Sequence, residues 1–186
     1  MSDHTLISHS APTLAGLKVA NLFSCECSRS EEADRIVRQW NVIVNPKGVR
    51  IRILRYHEGR ALIYVYRPAK LEAALQAPAA RRILKRFGYD GDNIDAYIKR
   101  LAGRIRRSGE FPHEIGLFLG YPPKDVKGFI DNHGSGSIYT GYWKVYTDID
   151  AAKEAFRKYA KCTAVYSKRI REGTSLERLT VRNVGM

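Results

Sequence analysis

Apolar and basic residues alternate along Val49-Arg-Ile-Arg-Ile-Leu-Arg-Tyr56, the pattern of a half-buried strand. His57-Glu-Gly-Arg60 is turn chemistry, and Ala61-Leu-Ile-Tyr-Val-Tyr66 is β-branched and aromatic, as a more buried strand should be. So short a connection predicts an antiparallel hairpin, 49–56 with 61–66. A weaker strand is expected over Val19–Ser24 and another over Tyr142–Tyr146. Between these the period changes to that of a helix. Ser30 precedes Glu31, Glu32 and an Ile36/Val37/Trp40 stripe, predicting a helix over 31–44 with acidic residues at its positive end. Asn45-Pro-Lys-Gly48 then reads as a turn. Leu71, Ala74 and Leu75 share a face, and Pro78 opens a helix carrying Ile83, Leu84 and Phe87, closed by Gly88-Tyr-Asp-Gly91. Asp92 or Asn93 is placed to cap Ile94, Tyr97, Ile98, Leu101 and Ile105, with Gly109 closing that helix. Pro122-Pro123 starts a helix with Val126, Phe129 and Ile130, and Thr147 or Asp148 caps one with Ala152, Ala155, Phe156 and Tyr159. Residues 1–10 predict a short helix that stops before Pro12, with Ala11 as its boundary and Thr13 capping a following turn. Ile115–Leu119 reads as a short strand or buried segment, and His133-Gly-Ser-Gly136 as a flexible loop.

The sum is α+β: a small, mostly antiparallel sheet against several helices, in a single domain over 1–174. Strands and long helices do not alternate as a doubly wound sheet requires. Residues 175–186 read as a loosely held basic tail.

Composition narrows the class of protein. The chain has 186 residues, 44% hydrophobic and 27% charged, long enough to bury a core without disulfides or metal. Three cysteines make no closed disulfide framework and fit a reducing cytoplasm. No apolar run reaches membrane-spanning length, and the N-terminus shows no signal-peptide pattern. The formal net charge is +13, with 16 Lys/Arg against 5 Asp/Glu between Lys47 and Arg107. A field of that sign attracts phosphates, carboxylates or nucleic acid, or simply keeps the surface solvated. Arg81, Arg82, Lys85, Arg86, Arg100, Arg104 and Arg107 are the candidate nucleic-acid residues.

Motifs of known chemistry are missing from the sequence. Cys25-Glu-Cys27 has no second pair, and the five histidines show no zinc spacing, so no metal site is expected. There is no phosphate loop, no nucleophile elbow, and no zinc finger, basic zipper or RNP sequence. Two stretches are unusual. His9-Ser-Ala-Pro-Thr-Leu-Ala-Gly-Leu-Lys18 gathers His9, Ser10, Thr13 and Lys18 about a proline, a turn able to present N–H groups and a lysine to an anion. Phe111–Ile130 places His113 beside Glu114 among three glycines and three prolines, irregular backbone of the kind that carries sites. His113 can serve as a base or ligand, or can brace the loop.

The segment FPHEIGLFLGYPPKDVKGFI, with GYWKVY at 141–146 and HSAPTLAGLK near the start, closely resembles a bacterial family of unknown function common in clostridia and related anaerobes. The resemblance spans about residues 5–166 and implies no activity. The family's opening motif usually reads His-Cys-Ala-Pro-Thr, and Ser10 stands here in place of that cysteine. A thiol-hydrolase reading is weakened accordingly, because a serine hydroxyl needs a strong neighbouring base.

Three readings follow. The first is a cytoplasmic protein that binds an anionic small molecule or cofactor, such as a phosphorylated metabolite, a nucleotide-type cofactor or a tetrapyrrole with carboxylates. Its pocket would be built from both stretches: His9, Ser10, Thr13, Lys18, His113, Glu114, Tyr121, Lys124 and Trp143. The second is a nucleic-acid-binding protein using the basic 47–107 surface, and the third an adaptor for an acidic protein. Neither the reaction, if any, nor the cofactor is specified by these residues.

Overall fold

The computed structural model describes residues 1–91, 93–107 and 111–182. The architecture is α+β, with a small antiparallel sheet packed against helices. The chain forms two compact units: Met1–Ala69 with Tyr159–Met186, and Lys70–Lys158. The elements in order are α1 (Asp3–Leu14), β1 (Ala20–Glu26), α2 (Ser30–Val44), β2 (Arg50–His57), β3 (Arg60–Tyr66), α3 (Pro68–Gln76), α4 (Pro78–Arg86), α5 (Ile94–Arg107), α6 (Ile115–Phe118), α7 (Pro123–Asp131), β4 (Tyr139–Thr140), β5 (Lys144–Val145), α8 (Ile149–Arg171) and α9 (Leu176–Leu179).

In the first unit the three strands lie in the order β1-β3-β2, all antiparallel. The expected hairpin forms, one residue longer on each side of its turn. Glu58 and Gly59 both have positive φ, 48° and 69°, as a two-residue turn matched to sheet twist requires. The doublet Ile53-Leu54 breaks strict alternation, and the register shifts there by a β-bulge. The bulge changes parity, so Val49, Ile51 and Ile53 before it and Tyr56 after it all pack on one cluster. That cluster holds Phe23, Cys25, Ala61, Ile63 and Val65 of the sheet, Leu6, Ile7 and Leu14 of α1, Ala33, Val37, Trp40 and Val44 of α2, and Leu176 and Leu179 of α9. Trp40 is fixed further by its indole N–H, which donates to Asp3 Oδ1 at 2.8 Å. On the other face of β3, Leu62, Tyr64 and Tyr66 are also buried.

Three expectations are corrected here. The first helix does not stop at Ala11 but runs to Leu14 with Pro12 inside it. Proline costs a helix one hydrogen bond, but Ile7, Ala11 and Leu14 continue a single buried stripe across it, and packing prevails. Thr13 is correspondingly not a cap; its hydroxyl donates to Asn21 Oδ1 at 2.7 Å. The segment from 175 is not loose as far as 182. Ser175 Oγ caps α9, and Leu176, Leu179 and Thr180 are buried. Two leucines three apart suffice to bury one turn, a signal too short to read against its polar neighbours. Residues 183–186 lie outside the described residues, as do Asp92 and Gly109.

In the second unit α4 and α5 present the expected apolar faces, and Asn93 Oδ1 caps α5 at Ala96 N–H. Of the two readings of Ile115–Leu119 the buried segment holds and the strand does not: Ile115–Phe118 is one helical turn with Gly116, Leu117 and Phe118 buried. A five-residue apolar run carries no period by which to choose. The expected strand over 142–146 shrinks to Lys144–Val145, paired with Tyr139–Thr140. Asp148 Oδ1 caps α8 at Ala151 N–H.

Candidate functional site

The two unusual stretches fall in different compact units, and each has its own structural logic. In the first unit, HSAPTLAGLK builds the C-terminal end of α1. Pro12 O accepts from the N–H groups of Leu17 (2.8 Å) and Lys18 (3.0 Å), turning the chain into β1. The carbonyls of Thr13 and Leu14, at the helix end, accept from the N–H groups of Gly16 (3.1 Å) and Val181 (2.9 Å) and each keep a second lone pair. They accept from Arg67, which directly follows β3: Nε donates to Thr13 O and Nη2 to Leu14 O, both at 2.7 Å. Nη2 also donates to Val181 O at 2.7 Å and Nη1 to Lys47 O at 3.4 Å. Arg67 is fully buried, and its positive charge sits at the negative end of α1. Burial pulls it below its ordinary value, with Tyr166 acting in the opposite sense. Among 32 Lys and Arg, nothing in the local pattern singles out Arg67.

His9 is exposed and stacks on Phe23, ring centres 4.9 Å apart. Ser10 is fully buried, and its hydroxyl has no hydrogen-bond partner among the described residues. Lys18 is 5% exposed, with Nζ 5.9 Å from the Tyr159 ring centre. Burial lowers its pKa from 10.5 to about 8.

In the second unit, Phe111–Ile130 folds with the β4–β5 hairpin around a cavity of about 290 Å³. Its walls are mostly apolar and aromatic, with Phe111, Tyr121, Val126, Phe129 and Trp143 prominent. Tyr121 stacks on Trp143 at 5.0 Å, and His113 meets Phe129 edge to face at 5.2 Å. Asp125, on α7, holds this wall in place. Its Oδ2 accepts from Trp143 Nε1 at 2.8 Å. Its Oδ1 accepts from Tyr146 N–H (2.9 Å), Thr147 N–H (3.1 Å) and the Thr147 hydroxyl (2.9 Å). One buried carboxylate thus ties α7 to the end of β5 and sets the indole plane. Gly128 completes that contact: a Cβ there would lie 2.5 Å from Tyr146 Cγ, so any larger residue drives α7 off the strand. Lys144 Nζ, at the same cavity, donates to Gly134 O at 2.6 Å. That bond leaves two ammonium donors.

Of the sequence candidates, His113, Tyr121 and Trp143 line this cavity. Glu114 and Lys124 are not among its lining residues. Lys124 is exposed on α7. Glu114 is fully buried and bound elsewhere, with Oε1 2.6 Å from Arg104 Nε and accepting from the Tyr89 hydroxyl at 3.0 Å. Burial first, and Glu114 second, push the Tyr89 phenol up. His9, Ser10, Thr13 and Lys18 belong to the other unit. Sequence reasoning missed Asp125, Phe129 and Lys144, although all lie in or beside the stretches it singled out. An aspartate within a Lys-Asp-Val-Lys run reads as a solvated charge until its four donors are seen.

The basic candidates divide by use. Arg104 pairs with Glu114, Arg100 donates twice to Phe87 O (3.1 and 2.9 Å), and Arg86 lies 3.7 Å from Asp131. Arg81 reaches Gln76 Oε1 at 3.4 Å. Arg82, Lys85 and Arg107 are exposed. Arg100 and Arg104 therefore serve the fold, closing the end of α4 and neutralising a buried carboxylate. Among the described residues no three His, Cys, Asp or Glu are grouped to hold a metal ion. No helix of the described residues is long and apolar enough to cross a membrane.

A family model described as a protein of unknown function, DUF3793, matches residues 6–180, so the chain belongs to that family. No curated protein and no solved structure matches it.

Proposed function

We propose that this member of the DUF3793 family is a small-molecule-binding protein whose site is the aromatic cavity of the second unit. The convergence of His113, Tyr121, Phe129, Trp143 and Lys144 on one cavity carries the reading. Ligand sites are concave, mostly apolar and furnished with a few fixed polar groups. Here Asp125 is spent on four internal donors, and the indole N–H is spent on Asp125. Lining residues that carry further polar groups are Lys144, His113, Thr140 and Tyr121. That set favours a flat apolar body bearing an anionic or acceptor group directed at Lys144. At about 290 Å³ the cavity suits a bicyclic ring system and is too small to enclose a tetrapyrrole. Catalysis is not part of the proposal.

The test uses 1-anilinonaphthalene-8-sulfonate, a bicyclic aromatic anion. Saturable one-to-one binding is expected, with energy transfer from Trp143. Lys144→Gln should weaken it about tenfold, the loss of one charge-assisted hydrogen bond. Binding that does not saturate, or that Phe129→Ala and Lys144→Gln leave unchanged, overturns the proposal. Native mass spectrometry after a high-salt wash adds a probe-free check: a retained small molecule should disappear in Phe129→Ala.

A further inference from the structure

We infer that the groove between α2 and β2 in the first unit is a binding site for the phosphodiester backbone of single-stranded nucleic acid. It is separate from the small-molecule cavity and does not depend on it. The groove is open and broad, about 630 Å³, and its lining carries no carboxylate. Arg38 comes from α2, and Arg50 and Arg52 from β2. Asn41, Asn45, Pro46 and Val42 complete it with Ile51.

Three features point to that ligand. The first is spacing. Arg50 and Arg52 stand two residues apart on an extended strand and so leave the same face of the sheet about 6.6 Å apart. That is close to the interval between successive phosphates on a stretched polynucleotide strand. Arg38 reaches the same groove from α2, and guanidinium forks match phosphate oxygens. The second is rigidity. β2 is an edge strand, and its outward N–H and C=O at Ile51 are both taken by the Asn41 side chain, at 2.9 and 2.8 Å. The edge is therefore blocked at Ile51 against another β-strand, and the arginines are held on a fixed floor. The third is the field. This unit carries 16 Lys/Arg against 8 Asp/Glu, and the groove adds an apolar wall in Val42, 77% exposed. No aromatic residue lines the groove, so its contacts are to the backbone, which carries no sequence information.

The experiment is fluorescence anisotropy with a labelled 20-nucleotide single-stranded DNA across 50–300 mM salt. The double variant Arg38→Gln/Arg50→Gln, both side chains being exposed, should bind at least about tenfold more weakly at 50 mM salt. Two phosphate contacts fewer should flatten the log–log salt slope by roughly 1.4. Val42→Asp, which puts a negative charge in the groove at an exposed position, should weaken binding while leaving the circular dichroism spectrum unchanged. Arg82→Gln/Lys85→Gln on α4 should stay within about twofold of the parent. The inference is overturned if the parent does not bind at 50 mM salt, if the α4 pair matters as much as the groove pair, or if the matching duplex binds more tightly. Equal displacement by polyglutamate at the same charge also overturns it, since the site would then be a general polyanion surface.

Discussion

Arg67 offers a sharp test of how this chain is held together. Its guanidinium joins four segments: Thr13 and Leu14 at the end of α1, Lys47 after α2, Val181 after α9, and its own segment directly after β3. Three of these four hydrogen bonds are short, at 2.7 Å, and a hydrogen bond with one charged partner contributes about 1.5–3 kcal/mol. Gross stabilisation is then roughly 6 kcal/mol. Taking a guanidinium out of water costs several kcal/mol, which the loss of the charge would return. Two of the acceptors keep a second donor, since Thr13 O also accepts from Gly16 and Leu14 O from Val181. Arg67→Met should therefore destabilise the first unit by about 3 kcal/mol. Arg67→Lys should fall between the two, because an ammonium has three donors and no planar fork. Urea unfolding in a Trp143→Phe background isolates the signal of Trp40, which is buried in that unit's core. At about 2 kcal/mol per molar urea the midpoint should drop by roughly 1.5 M. The C-terminal segment loses its anchor too, so trypsin should cut faster at Arg178 in α9. A loss below about 1 kcal/mol, or a lysine variant as stable as the parent, would refute this account of the hub.

Asp125→Asn should free the Trp143 indole, because an amide presents a donor to one of the groups that now donate to it; a red-shifted Trp143 emission and a loss of roughly 2–4 kcal/mol in a Trp40→Phe background are expected. Lys18 has a folded-state pKa near 8 and an unfolded one of 10.5, so between those values the unfolded chain holds more protons and the Lys18 contribution to stability rises with pH. Comparing parent and Lys18→Met by urea midpoint from pH 7 to 10.5 should show that rise, up to about 3 kcal/mol, as a growing difference in favour of the parent. Cys25, Cys27 and Cys162 are free and buried, and burial pushes the Cys162 thiol up to about 11. A thiol reagent at pH 8 should therefore modify none of them rapidly in the native protein and all three in denaturant.

What local chemistry encodes was legible along the chain. The hairpin, α2, α5 and the amphipathic start of α8 follow from periods of 2 and 3.6 residues, and their caps from Asn93 and Asp148. Even the bulge has a trace, the doublet Ile53-Leu54, although the pattern alone does not say that parity changes there. Where the period was too short to count, the pattern left strand and buried segment both open at Ile115–Leu119 and missed the helical turn at Leu176–Leu179.

The stretch around the cavity was conspicuous in the sequence, but its working parts were not. His113 drew notice as a titratable group among glycines, whereas Asp125 looked like one charge in a mixed-charge run. Its role depends on the indole of Trp143 and the amides of Tyr146 and Thr147, 18 to 22 residues away. Arg67 is the extreme case, with acceptors 20, 53, 54 and 114 residues distant in the chain. Which basic residues neutralise buried groups and which face water is likewise invisible to composition: Arg104 meets Glu114, while Arg38 and Arg50 stand exposed beside a groove. By itself the sequence determined the hairpin, the longer amphipathic helices and the sign of the net charge. Tertiary structure decided the partners, because hydrophobic period is a property of neighbouring residues, whereas a buried polar group is satisfied by whatever carbonyl or donor the returning chain brings to it.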